Sequence, residues 1–190
     1  MGQDDQREAV ARRHIALLRG VNVGGNNMIS MSKLKAAFVE HGFEDVATYI
    51  NSGNVLFTSD LDPVALRTAC GHLLETELGL RTPVCLIPAD ELAEAVDQAP
   101  DWWNKNKESS HNAIFVIPPL TPAQVCATVG PINPEHESVA CQGSLIFWSA
   151  PLKTYSRTRF SKIIQDKSLY NSITIRNANT TLKLAALARG

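Results

Sequence analysis

Arg19 to Asn27, Arg-Gly-Val-Asn-Val-Gly-Gly-Asn-Asn, follow an apolar run (Ile15-Ala16-Leu17-Leu18) and precede an amphipathic segment. A strand, a glycine-rich turn and a helix N-terminus in that order aim free N–H groups and the positive end of a helix dipole at one point, where a phosphate or carboxylate is held. Arg19, Asn22, Gly24, Gly25 and Asn26 are the candidate ligand-binding residues of this turn. The spacing of Gly20 and Gly25 fits a P-loop, but Asn26 and Asn27 stand where that motif needs Lys and Ser/Thr. Without the cation for the β/γ-phosphates and the hydroxyl for Mg²⁺, nucleoside triphosphate hydrolysis of that kind is not expected. The structural alternative is a tight turn whose asparagines bond the local backbone and adopt left-handed conformations.

A second junction of the same kind is Arg176-Asn177-Ala178-Asn179-Thr180, after a β-branched stretch and before an apolar-periodic one. Arg176 is suited to pair bidentately with an anion, Asn177 stands beside it, and Asn179 or Thr180 is expected as the N-cap. Tyr155 to Lys162 gathers hydroxyls and three cations at the start of an expected helix. Cations are unfavourable there, so an anion held at Arg157 would offset them, and a solvated basic face is the alternative. Trp102-Trp103 beside Lys105 and Lys107 could stack a base or sugar, although adjacent aromatics in a connector more often plug a seam. The five histidines show no metal spacing, and no metal or cofactor is expected. Four cysteines without a C-x-x-C pattern lie in apolar stretches and read as buried thiols.

Leu17 to Gly25, Tyr49-Ile50-Asn51-Ser52-Gly53-Asn54-Val55 and Arg176 to Thr180 occur in an order that resembles the bacterial domain-of-unknown-function family 1697. The resemblance runs from His14 to Ala188 and implies a compact protein of duplicated ferredoxin-like units with no established activity. Asn26 and Ala178 depart from the Lys and Trp that many members of that family carry.

The elements that must position these residues repeat. A strand at His14 to Leu18, a helix at Met31 to His41, a hairpin of Val46 to Ile50 with Asn54 to Thr58, a helix from Asp62-Pro63 ended by Gly79, and a strand at Pro83 to Ile87 give β-α-β-β-α-β. A helix at Ala89 to Val96 trails this unit. The second half offers a strand at Ala113 to Ile117, a helix at Thr121 to Val129, a hairpin of Ser138 to Cys141 with Leu145 to Trp148, a helix at Arg157 to Asp166, a strand at Ile173 to Arg176 and a helix at Asn179 to Ala188. Ser52 to Phe57 and Gln142 to Phe147 match by residue type at a constant offset, which points to internal duplication and an alpha-beta plait in each half. The expected fold class is therefore α+β: a first unit with its trailing helix over 14–98, a connector over 99–112, and a second unit with a C-terminal helix over 113–190.

With 190 residues, 44% of them hydrophobic, the chain can bury a substantial core. Its polar N-terminus lacks the features of a signal peptide, position 6 is Gln6 where a myristoylation signal needs Ser or Thr, and no apolar run approaches the roughly 18 residues of a membrane span. A cytoplasmic protein without membrane contact is expected, and the oligomeric state stays open. The net charge of −1 conceals an asymmetry: residues 149–190 carry eight cations and one acid, a net of +7, which leaves −8 on the remainder. That split calls for an anionic partner or for internal pairing. The first functional reading is a site for a small anionic metabolite or nucleotide between the Arg19 and Arg176 junctions, and the residues leave open whether it is an enzyme. RNA binding is the weaker alternative, because the RNP aromatics are missing and the pI is 6.5. A protein-interaction scaffold is the third.

Overall fold

The computed structural model describes residues 10–24 and 27–190, so Gly25 and Asn26 lie outside the described residues. In the first half β1 (Arg12–Leu18), α1 (Met31–Glu40), β2 (Glu44–Tyr49), β3 (Asn54–Ser59), α2 (Pro63–Thr76) and β4 (Val84–Pro88) build an antiparallel sheet of order β2-β3-β1-β4, and α3 (Ala89–Asp97) follows. The second half repeats the path with β5 (Ser109–Val116), α4 (Pro122–Val129), β6 (Ser138–Gln142), β7 (Leu145–Pro151) and β8 (Ile173–Asn177) in the order β6-β7-β5-β8, followed by α6 (Ala178–Ala188). Both are ferredoxin-like units. Leu56 pairs with Ile15 and Ile146, ninety positions on, pairs with Ile114, but the first pair faces the layer between the halves and the second faces the outer side of its sheet, so the repeat in sequence is one residue out of step with the faces.

Local chemistry explains most of the boundaries. Ser30 accepts from Lys33 N to cap α1, and Asp62 accepts from Val64 N and Ala65 N with Pro63 at the first helical position of α2. Thr121 and Gln124 form a reciprocal capping box at α4.

The central strands are apolar on both faces because each feeds two cores. Ala16 and Leu18 of β1 join Leu34, Phe38, Leu66 and Leu73 under α1 and α2, while Ile15 and Leu17 face the other way. In β5 and β7, Ile114, Val116, Ile146 and Trp148 pack with Val125, Phe160 and Ile163 on the outer side of the second sheet. Ala113, Phe115, Leu145 and Phe147 meet Ile15, Leu17 and Leu56 in a shared middle layer closed by Leu92 of α3 and Leu184 of α6. Trp103 belongs to that layer: its ring meets Phe147 edge-on and its Nε1 donates to Asn112 O at 2.9 Å. The tryptophan therefore seals the seam.

The second half departs from expectation where a helix was predicted over Arg157 to Asp166. Two 3₁₀ segments, Leu152–Arg157 and Phe160–Gln165, stand there, followed by the short α5 (Lys167–Asn171). Thr158 separates the segments in extended backbone, φ −74° and ψ 154°, and is fully buried. Its hydroxyl donates to Tyr155 O and accepts from Ser161 N, satisfying groups that a continuous helix would have paired internally. The β2–β3 turn also differs. Ile50, expected to end β2, sits in the turn at φ 47°, and Asn54 Nδ2 donates to Tyr49 O across it.

Candidate functional site

The turn after β1 and the β8–α6 junction face one cleft of about 410 Å³, lined by Arg19, Gly20, Val23, Ile50, Tyr170, Arg176 and Asn177 among others. Among the described residues its walls carry two cations and no acidic side chain.

Arg176 projects from the inner face of β8 into the first half. Its Nε donates to Asn54 Oδ1 at 2.6 Å, Nη1 to Thr174 Oγ1 and Ile175 O, and Nη2 to Leu18 O and Ser52 O. These acceptors engage all five N–H groups of the guanidinium. All are neutral. Burial, with the residue 8% exposed, pushes the guanidinium down to about 10. The bidentate grip on a ligand expected of Arg176 is thus replaced by an internal one, which ties the end of β1 and the β2–β3 turn to β8. Its charge still reaches the cleft.

Arg19 differs in what it leaves free. Its guanidinium lies 4.5 Å from the centroid of the Tyr170 ring and donates one hydrogen bond, Nη1 to Tyr170 O at 2.7 Å, among the described residues. The half-buried side chain therefore retains N–H groups for the cleft. Thr82 donates to the Arg19 carbonyl and Arg19 N to Pro83 O, so the backbone beneath is fixed.

Asn22 is structural. At φ 56° it accepts from Ile29 N and donates to Ile29 O, both at 2.8 Å, and to Asn51 Oδ1, closing the turn back onto the entry to α1. Asn27 takes the same conformation, φ 47°, and donates to Gly20 O. Gly24 is exposed at φ 60°. The left-handed asparagine turn is the geometry found here, while Gly25 and Asn26 lie outside the described residues.

Asn177, rather than Asn179 or Thr180, caps α6, accepting from Thr180 N at 2.8 Å. Ala178 is a good helix former, so the helix begins one residue before the expected start at Asn179. Arg157 is exposed at the end of the first 3₁₀ segment and does not line the cleft. A carboxylate of the chain itself serves the start of the second 3₁₀ segment: buried Glu137 accepts from Arg159 N at 2.7 Å and Phe160 N at 3.2 Å.

Sequence reasoning missed Tyr170, Thr174 and Asn54, along with a rim of exposed apolar side chains: Val23 at 60%, Ile50 at 49% and Ile164 at 56%. Asn54 and Thr174 are isolated polar residues in strands and Tyr170 lies in a five-residue helix, none of which carries a periodic signal, and the rim comes from three distant segments.

The cysteines divide into two classes. Cys70 and Cys85 are buried, and desolvation pushes both thiols up to about 12. Cys126 is half-buried and Cys141 exposed, which corrects the expectation of four buried thiols.

Two of the partner expectations meet structural facts. The sheet faces on which ferredoxin-like RNA-binding modules stack bases are buried here against one another. No helix among the described residues is long and apolar enough to cross a membrane.

A family model described as a protein of unknown function, DUF1697, matches residues 11–147. The chain is similar over 94% of its length, at 29% identity, to a solved conserved bacterial protein from Streptococcus pneumoniae, of which 99% is covered with a TM-score of 0.83. No curated protein matches.

Proposed function

The chain belongs to the DUF1697 family of proteins of unknown function, and we infer that its cleft binds a small anionic metabolite of nucleotide size. The observation that carries this reading is the pair of cations, Arg19 and Arg176, on walls without an acidic residue among those described. Neutral oxygens satisfy the hydrogen bonds of Arg176 but leave its charge unneutralised, so an anion entering the cleft supplies the missing counter-charge. Arg19 offers hydrogen bonds, Arg176 offers field, and the α6 N-terminus at Asn177 adds its dipole. The volume of about 410 Å³ falls within the range of small-ligand pockets.

The rim indicates the rest of the ligand. Val23, Ile50, Ile164 and the Tyr170 ring would cover an apolar or planar portion, and Ile50 holds a backbone conformation, φ 47°, that is costly for a β-branched residue. Strain retained at a cleft wall supports a role for that wall. The described lining contains no carboxylate, histidine or thiol to move a proton, which makes this a reading of binding before catalysis.

The test is native mass spectrometry of the freshly purified protein, followed by calorimetric titration with mononucleotides, sugar phosphates and aromatic carboxylates. A retained or titrated anion whose binding is lost in Arg19→Ala and kept in Lys153→Ala is the expected result. Absence of binding by all three classes, with no retained mass, overturns it.

A further inference from the structure

We propose that Cys126 and Cys141 form a peroxide-responsive dithiol, a modification site on the outer side of the second half and separate from the cleft. Cys126 lies on α4 and Cys141 on β6, and their Sγ atoms stand 3.3 Å apart. Both are free. A disulfide needs about 2.05 Å, so closing the bond takes a movement of roughly 1 Å, which side-chain rotation and a slight shift of backbone supply. β6 is an edge strand held on one side by β7 alone, so its backbone is the freer of the two.

Exposure assigns the roles. Cys141 is the exposed thiol and meets an oxidant first, whereas Cys126 packs partly against the core beneath α4. Burial and the neighbouring thiol push Cys126 up to about 12, so it remains protonated until a partner sulfur is activated. In the first step the Cys141 sulfur attacks hydrogen peroxide, the O–O bond breaks, Cys141 becomes a sulfenic acid and one water leaves. Cys126 Sγ then attacks Cys141 Sγ, the S–O bond breaks, and the hydroxyl departs as a second water with the Cys126 proton. Two thiols are oxidised as one peroxide is reduced to two waters.

The other cysteines serve as internal controls. Cys70 lies on the buried face of α2, in the core of the first half, and Cys85 lies in the shared layer with its thiol toward Val116 O, so the two are in different layers from each other and from the Cys126–Cys141 pair. Bond formation would tie α4 to the edge strand and close a loop of 15 positions, constraining the Gly130-Pro131 turn and the segment bearing Glu137.

The test treats the full chain with stoichiometric hydrogen peroxide and reads intact mass and peptide maps. The expected outcome is loss of two hydrogen masses, a Cys126–Cys141 linked peptide and reversal by dithiothreitol. In Cys126→Ser, a sulfenic acid should persist on Cys141 and be trapped by dimedone; in Cys141→Ser, the early reaction should vanish. Alkylation of both thiols after peroxide treatment overturns the proposal, as does direct passage of Cys141 to sulfinic acid without a cross-link, or a link between two chains instead of within one.

Discussion

Arg176 Nε donates to Asn54 Oδ1 at 2.6 Å across the boundary between the two halves, and both side chains are buried. Asn54 is in turn fixed by its own donation to Tyr49 O and Ser52 Oγ, so β3, the β2–β3 turn and β8 form one polar network inside an apolar layer. Removing Arg176 would leave Asn54 Oδ1, Leu18 O and Ser52 O short of a donor. Arg176→Ala should therefore cost roughly 3 kcal/mol of stability, as expected when several buried neutral acceptors lose their donor together. Urea unfolding of Arg176→Ala, Asn54→Ala and the double variant should give a coupling energy above about 1 kcal/mol. Strict additivity would show that the contact carries no energy of its own.

Glycine chemistry separates the two hairpins that duplication relates. Gly53 and Gly143 both have positive φ, 69° and 55°, but a Cβ on Gly53 would stand 2.8 Å from Leu18 Cβ, while one on Gly143 meets nothing within 4 Å. Gly143→Ala should lose about 1 kcal/mol through backbone strain alone. Gly53→Ala should lose about 3 kcal/mol, because strain is joined by a clash with a fully buried neighbour. Equal losses, measured as shifts in urea midpoint at constant slope, would contradict the packing described around Leu18.

Why some of this could be read from the chain and some could not follows from the range of each interaction. The central strands announce themselves through runs such as Ile15 to Leu18, since a strand feeding two cores is apolar at every position. Helix starts at Asp62-Pro63 and Thr121 are equally local. The segment after β7 misleads because Phe160 and Ile163 are spaced as in an α-helix, while the break at Thr158 depends on Glu137, over twenty residues upstream. For the cleft, the two arginine junctions are visible as turns. The saturation of Arg176 by Asn54, Leu18 and Ser52 arises only when the halves pack, so a residue that reads as a ligand-binding arginine is found holding the protein together.

His14 gives stability an acid limb. The ring is buried beside Phe57, and desolvation, with the Arg12 cation, lowers its proton affinity from the ordinary 6.5, against an opposing pull from Asp90. The unfolded chain then binds the proton more readily than the folded one. Stability from this group is fully present above about pH 6.5 and falls as the pH drops through the lowered value, with a slope of at most about 1.4 kcal/mol per pH unit. In His14→Phe that contribution should vanish. Comparing urea midpoints of the two proteins at successive pH values below 6.5 should show the wild type losing ground relative to the variant. Parallel profiles would mean that the ring titrates equally in both states.

The last prediction sets a small anion in the cleft against nucleic acid on the basic C-terminal stretch. Lys153, Arg157, Arg159, Lys162 and Lys167 are exposed and form no ion pair among the described residues, whereas Arg189 pairs with Asp97. If the stretch grips single-stranded nucleic acid, several of these cations contact phosphates together, and log K should fall with log salt by about 0.7 for each contact. A ligand held by Arg19 in a partly desolvated cleft behaves otherwise, because screening acts weakly where water is excluded. Its affinity should change little with salt yet drop by roughly 1.5 to 3 kcal/mol in Arg19→Ala, the range of a charge-assisted hydrogen bond, while Lys167→Ala leaves it unaltered. Titrations of the anion and of an oligonucleotide pool at two salt concentrations, with both variants, separate the cases. Tight oligonucleotide binding that is steep in salt, sensitive to Lys167→Ala and indifferent to Arg19→Ala would move the functional surface from the cleft to the 3₁₀ segments.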